Sequence, residues 1–344
     1  MDVISRAVMV ERKLIFEFLA QARKSKLSTS GDNRSQGNLT KDCIKGLKLK
    51  NDKKYYSILA FSCNDGYMKP NFRVTNQKNC STRSAIGQPR YYVYSPVTKH
   101  FKVLYRPQVN EHGYLWICSA SLAFDPLQSP HYKVVCIWRN DMVNHHIEIY
   151  SSSTDSWWVS GCPVPAPKIM FYTSGVFWNG SLHWISLRNS SFYFDIDQDV
   201  IKVMPMPPTN PGIDKIRVEY FGVCQGHLNL IQTSGSSITR FDILEMESDY
   251  SGWNVKYHVN LEALTALYSE RPELLNHSRF SVLLVHEEEE SSSLVLQIQD
   301  KIISYDIRSC RFIKLHDLSQ IHGNVSKLYR YYDAYQYIPT LSSV

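Results

Sequence analysis

The chain has 344 residues, 12% of them aromatic, including 22 Tyr and 7 Trp; it is long enough for a large core and rich in side chains that favour strands. Its net charge of +6 is unevenly placed, because residues 1–54 hold 13 Lys/Arg against 6 Asp/Glu while the rest holds 25 against 26. A near-neutral body argues against a surface that grips nucleic-acid phosphates, and with no run of 18 apolar residues no transmembrane helix is expected, so neither nucleic acid nor membrane is an expected partner.

Residues 8–24 read as an amphipathic helix, with Leu14, Ile15, Phe18 and Leu19 on one side and Arg12, Glu17 and Arg23 polar. From Ser25 to about Lys54 the chain turns to Ser, Lys, Asn, Gly and Asp, the composition of a linker. The apolar stretch near the start is broken by Arg6, Glu11 and Glu17, so no export signal is expected. Eight scattered Cys, none in Cys-x-x-Cys, fit a reducing compartment, with several buried as small hydrophobes such as Cys136. The expected location is cytoplasmic and/or nuclear. Seven Asn-x-Ser/Thr sequons, Asn179-Gly180-Ser181 among them, point the other way.

The body opens at Tyr55 and repeats. An aromatic residue closes a strand-like run, a polar turn follows, and a bulky apolar residue stands seven positions on: Tyr94 to Phe101, Tyr150 to Trp157, Phe194 to Ile201 and Tyr305 to Phe312. A fifth copy, at Phe241-Asp242, reaches Trp253 only after five extra residues. The Asp or Ser after each aromatic is suited to hydrogen-bonding the turn backbone. A second, apolar hairpin alternates with this one, clearest at Gly175–Ile185, where Asn179-Gly180 signals a type I′ turn. Two hairpins make four strands, and four strands every ~45–55 residues is the pattern of a propeller blade. Five units fall near 56–106, 115–161, 172–207, 217–259 and 279–315. The aromatic run at 329–338 is expected to complete or close a further blade. Two insertions interrupt the period: a helical stretch at Leu261–Tyr268 and an acidic loop from His286 to Ser293. The acid run within it reads as a solvated tip or, more sharply, as a docking site for a basic partner.

Catalytic and cofactor motifs are absent from the sequence: no Gly-x-Ser-x-Gly, no His-Glu-x-x-His, no phosphate-cradling loop and no dinucleotide fingerprint. His145 and His146 are neighbours on a strand and point to opposite faces, which denies them a shared metal. Asp195, Asp197 and Asp199 alternate as in a cation loop, but the closing Glu is missing, so turn formation is the better reading. Arg73, Lys78, Arg83 and Arg90, near Asn76 and Asn79, make a modest basic patch that reads as loop surface. No catalytic, metal or cofactor residue is assigned, and no enzyme is expected.

Several segments resemble one family in order and spacing. Tyr92-Val93-Tyr94-Ser95-Pro96-Val97-Thr98-Lys99 is similar to the V-x-N-P-x-T-x segment of plant F-box proteins with an F-box-associated, kelch-like domain. Leu122–Pro126 followed by Ser129–Val135, Ile147–Ser152 with Ser156-Trp157, Gly175–Trp184 and Tyr337–Leu341 continue the likeness over roughly residues 55–341. The resemblance implies an all-β, kelch-like β-propeller of about five to seven four-stranded blades, preceded by a short helical and basic segment. It divides the chain into 1–54, a degenerate or absent F-box, and 55–341, the F-box-associated domain. It further implies the substrate-recognition component of a Skp–cullin–F-box ubiquitin ligase, with a target protein on the propeller loops and a Skp-like adaptor and cullin as further partners. A family F-box opens with Leu-Pro, whereas this chain has no Pro before Pro70 and no Trp before Trp116, so any adaptor contact falls to Leu14, Ile15, Phe18 and Leu19. The alternatives are an orphan propeller that binds a target without a ligase, and a secreted kelch-type carbohydrate-active protein.

Overall fold

A computed structural model describes residues 59–64, 67–70, 90–94, 101–104, 116–125, 127–139, 144–161, 164–165, 175–186, 191–207, 216–234, 237–267, 280–288 and 291–317. The expected N-terminal helix and linker, most of the basic patch and the aromatic run at 329–338 lie outside these residues.

The described strands form five antiparallel sheets. The first holds β1 (Leu59–Asn64), β2 (Tyr67–Pro70), β3 (Arg90–Tyr94) and β4 (Phe101–Leu104), in the order β2-β1-β3-β4. The second runs β5 (Trp116–Ala123), β6 (Lys133–Arg139), β7 (Asn144–Ser151) and β8 (Ser156–Val159), with β9 (Val164–Pro165) also paired to β7. The third holds β10 (Val176–Trp178), β11 (Ser181–Trp184), β12 (Ser191–Asp195) and β13 (Val200–Met204). The fourth holds β14 (Ile216–Cys224), β15 (His227–Ser234), β16 (Ser237–Met246) and β17 (Trp253–Asn260). The fifth holds β18 (Phe280–Glu287), β19 (Ser292–Ile298), β20 (Lys301–Asp306) and β21 (Phe312–Asp317).

Each sequence unit falls on one sheet, but the expected set of about five to seven four-stranded blades needs correcting. Four of the described sheets have four strands, and the second has five. The reason is local: β8 covers β7 only from Glu148 to Ser151, leaving Asn144 and His145 open to Pro165 and Val164.

The seven-residue spacing is a cross-strand pairing. Tyr94 faces Phe101, Tyr150 faces Trp157, Phe194 faces Ile201 and Tyr305 faces Phe312. Such directly opposed pairs are the unit of sheet stabilisation. The fifth copy corrects the sequence reading, because Phe241 pairs with Val259 and Trp253 pairs with Met246. The unit therefore recurs at Met246 with its usual spacing, and the five extra residues lengthen β16 instead of the turn.

Alternation along each strand sends its side chains to two different neighbours. In β6, Val134 and Cys136 pack with Val93 and Leu104 of the first sheet, while Val135 and Ile137 pack with Leu182, Trp184 and Phe194 of the third. Trp178 and Met204 join Phe221, Leu230 and Trp253 between the third and fourth sheets. Ile231, Phe241 and Val259 join Val285, Leu294 and Tyr305 between the fourth and fifth. Each large side chain so buried contributes roughly 1.5–3 kcal/mol over leaving it exposed, which is why the sheets stack. The leading strands follow one another through space, β5 against β10, β10 against β14, and β14 against β18. Three of them carry a bulge, between Ile117 and Ser119, Val218 and Tyr220, and Val282 and Leu284. Bulges at a sheet edge sharpen its twist.

The helix expected near Leu261–Tyr268 is α1 (Glu262–Leu267), started by Asn260, whose Oδ1 accepts the Glu262 amide at 2.9 Å.

Candidate interaction surface

In an antiparallel meander the first-to-second and third-to-fourth strand turns share one end. Here that end carries residues 124–125 and 127–132 after β5, the turns at 152–155, 179–180, 196–199, 225–226, 247–252 and 307–311, and residues 288 and 291 between β18 and β19.

The turns are built from the residue types the sequence places there. Asn179 and Gly180 have φ of 47° and 72°, the left-handed pair a type I′ turn requires, and Gln225-Gly226 repeats it at 49° and 77°. Asp195 Oδ1 accepts the Gln198 amide at 3.0 Å, and Asp306 Oδ1 accepts the Ser309 amide at 2.7 Å. Asp242 breaks the expected pattern: it lies within β16 and meets His258 Nδ1 at 2.7 Å, while Asp249 Oδ1 takes the Ser251 amide in the actual turn.

Adjacent sheets are bonded to one another at this end. Lys102 pairs with Asp155 at 2.9 Å, and Lys133 with Asp197 at 2.7 Å. Gly161 donates its amide to Asp199 Oδ2 at 3.0 Å. Trp178 Nε1 donates to Gly226 O at 2.6 Å, and Gln225 Nε2 donates to Glu287 O at 2.5 Å. Lys256 lies between Glu245 and Glu287, at 2.5 and 2.9 Å. Loops held on such a scaffold present fixed side chains. The most exposed large apolar one is Leu127, 87% exposed in a turn where Asp125 Oδ1 accepts its amide.

Between the third and fourth sheets sits an aromatic stack. The Tyr193 and Tyr250 rings are 4.3 Å apart and nearly parallel, and His183 stacks on both. His183 Nδ1 lies 3.2 Å from Val176 O, and its Nε2 lies 2.8 Å from the Tyr250 hydroxyl. The carbonyl accepts only, so Nδ1 carries the proton and Nε2 accepts from Tyr250. Burial pushes the imidazole pKa down to about 4, which keeps it neutral.

The three Asp of the suspected cation loop are held by separate protein donors: Asp195 by Gln198 and Lys202, Asp197 by Lys133 and Asp199 by Gly161. Among the described residues no group of three His, Cys, Asp or Glu side chains is placed to hold a metal. His146 stacks on Trp138 at 4.3 Å, and its neighbour His145 is buried. The acidic loop is shorter than its sequence suggests. Glu287 ends β18 and Ser292 begins β19, so both ends of the expected loop are strand, and the Glu287 carboxylate bonds Lys256. Cys136 and Cys224 are buried and Cys310 is exposed, none of the three in a disulfide. Leu14, Ile15, Phe18 and Leu19 lie outside the described residues. Lys102, Lys133 and Leu127 received no role from the sequence, although Lys133 lies within the Ser129–Val135 segment, since the partners of the two lysines, Asp155 and Asp197, lie 53 and 64 residues further along the chain. No helix among the described residues is long and apolar enough to cross a membrane.

A family model described as the F-box associated beta propeller domain matches residues 79–344. An F-box protein of Arabidopsis thaliana, At5g07610, is 33% identical over 279 residues, which cover 74% of this chain. The chain spans about 64% of that relative's length. Among solved structures, TolB from Acinetobacter baumannii matches 67% of this chain and 49% of its own at 13% identity, with a TM-score of 0.35. The WD40 domain of SCAP from fission yeast matches 72% of this chain and 58% of its own at 8% identity, with a TM-score of 0.34.

Proposed function

The chain belongs to the F-box associated β-propeller family, and on that membership we propose that it is the substrate-recognition component of a Skp–cullin–F-box type ubiquitin ligase. It binds a target protein through the turn end of the propeller and acts by capture, without catalysis or a cofactor. Its blades are of the kelch-like kind, and it works in the cytoplasm, the nucleus or both. Residues 1–54 supply the adaptor contact through Leu14, Ile15, Phe18 and Leu19, and residues 55–341 supply the target contact.

The observation that carries this reading is the cross-bonded turn end. Ion pairs and hydrogen bonds link successive sheets there, from Lys102–Asp155 to Lys256–Glu287, so the exposed loops sit on a fixed frame. Affinity capture of the full chain followed by mass spectrometry tests it. A Skp-like adaptor and a target should be recovered together, and Leu127→Asp should reduce the target while leaving the adaptor. Recovery of neither from a folded chain contradicts the reading.

A second reading has its own observation. No Pro precedes Pro70 and no Trp precedes Trp116, so the Leu-Pro opening and Trp-containing end of a family F-box are not matched. On this reading the propeller binds the same kind of target without recruiting a ligase. Target recovery without the adaptor is its signature.

A further inference from the structure

Two donors from adjacent sheets converge on one oxygen atom at the turn end. Lys102 in β4 places Nζ 2.9 Å from Asp155 Oδ1, and Tyr150 in β7 donates its hydroxyl to the same atom at 2.6 Å. Asp155 reaches this position from the β7–β8 hairpin tip, where its φ is 52°. Its side chain is 69% exposed, against 32% for Lys102.

A further donor stands beside them. Tyr132 is 1% exposed, and its hydroxyl makes no hydrogen bond of good geometry among the described residues, its one polar neighbour being the Tyr150 hydroxyl. Its ring lies 6.2 Å from that of Tyr150. Burial raises its phenol well above the ordinary value, and the charges of Tyr150 and Asp155 and the nearby Tyr150 hydroxyl push the same way. Hydrogen bonding to Tyr150 holds the Lys102 ammonium above its ordinary value; burial opposes this and Asp155 adds to it. Lys102 therefore stays charged at neutral pH.

An ammonium and two phenols offer donors to an incoming group, the chemistry that holds a carboxylate or phosphate. The group now filling the position is an exposed carboxylate on a turn. Such a pair is weak in water, because each ion keeps much of its hydration. A buried hydroxyl left without a partner is costly, and a larger or better placed anion would give it one.

We propose that Lys102, Tyr132 and Tyr150 form an oxyanion-binding subsite on the turn end, kept filled by Asp155 until a carboxylate or phosphate on a bound protein's side chain replaces it. The origin of that anion rests on the substrate-capture reading; the subsite itself does not.

Asp155→Gly empties the position without backbone strain, because Gly accepts a φ of 52°. Isothermal titration of the purified full chain with inorganic phosphate, and separately with acetate, measures the result. At least one anion should bind Asp155→Gly about tenfold tighter than the parent chain, the effect of one good charge-assisted bond. Adding Lys102→Met should abolish the gain. Asp155→Asn, which also suits the left-handed turn position, is the second variant should the glycine chain fail to fold, with a smaller gain in the same direction. Phosphate favoured over acetate assigns a phosphorylated side chain, and comparable binding assigns Asp or Glu. No gain in a folded variant, or a gain that survives Lys102→Met, overturns the proposal. Failure of adaptor binding bears on the ligase reading alone and leaves this result standing.

Discussion

The Tyr250 hydroxyl reaches from the fourth sheet into the third and meets His183 Nε2 at 2.8 Å. It does so from a backbone with φ of 61°, a conformation that bulky side chains rarely adopt. Stacking on Tyr193 and an edge contact with Trp178 hold the ring in place. Removing the hydroxyl leaves His183 Nε2 buried without its donor. Tyr250→Phe should cost about 1–3 kcal/mol, read as a lower midpoint in urea unfolding with an unchanged slope.

The same imidazole gives a pH dependence. Its folded pKa is depressed to about 4 by burial, whereas an unfolded His titrates near 6.5. Between those values the unfolded chain binds the proton and the folded chain does not, so stability falls as pH drops below about 6.5 and levels off below about 4. At pH 5 the contribution of His183 should be about 2 kcal/mol less favourable than at pH 7.5. His183→Gln should flatten that part of the stability–pH curve, measured by denaturant unfolding across the range. An unchanged slope would remove His183 from the account.

The turn acids should separate into two classes. Asp306 Oδ1 accepts from both the amide and the hydroxyl of Ser309, whereas Asp242 meets His258, whose side chain is 83% exposed. Asp306→Ala should destabilise by about 1 kcal/mol, and Asp242→Ala should stay within about 0.5 kcal/mol. Equal costs would contradict the placement of the fourth hairpin turn at 247–252.

Each pair of neighbouring described sheets shares an apolar cluster. Ile149 is fully buried in the cluster that joins the second and third sheets. Ile149→Ala should cost about 2–5 kcal/mol, the range for emptying an aliphatic core position, seen as a fall in Tm. Leu127→Asp, at an 87% exposed position, should leave Tm unchanged while weakening target capture.

The sheets were legible because their signals are local. A spacing of seven across a four-residue turn, as at Tyr150 and Trp157, forces a cross-strand pair whatever surrounds it. The Asn179-Gly180 turn is legible for the same reason. Phe241 misled because an aromatic followed by Asp also suits mid-strand, and only the partner strand shows that Met246 holds the equivalent place. The extra strand β9 depends on how far β8 covers β7, which a single segment does not encode. Glu287 looked like part of a solvated acid run, and its role follows only from Lys256, 31 residues away. The meeting of Lys102, Tyr132 and Tyr150 was hidden likewise, since it needs two sheets side by side.

Adaptor recruitment is the step on which the ligase reading stands, and it is measured directly by binding the purified full chain to a purified Skp-like adaptor. The account expects a complex that survives gel filtration and is lost when Leu14, Ile15, Phe18 and Leu19 are together replaced by Ala, with the unfolding transition of the propeller unchanged. No complex from a chain with that transition intact would contradict it and leave an orphan propeller that binds its target alone.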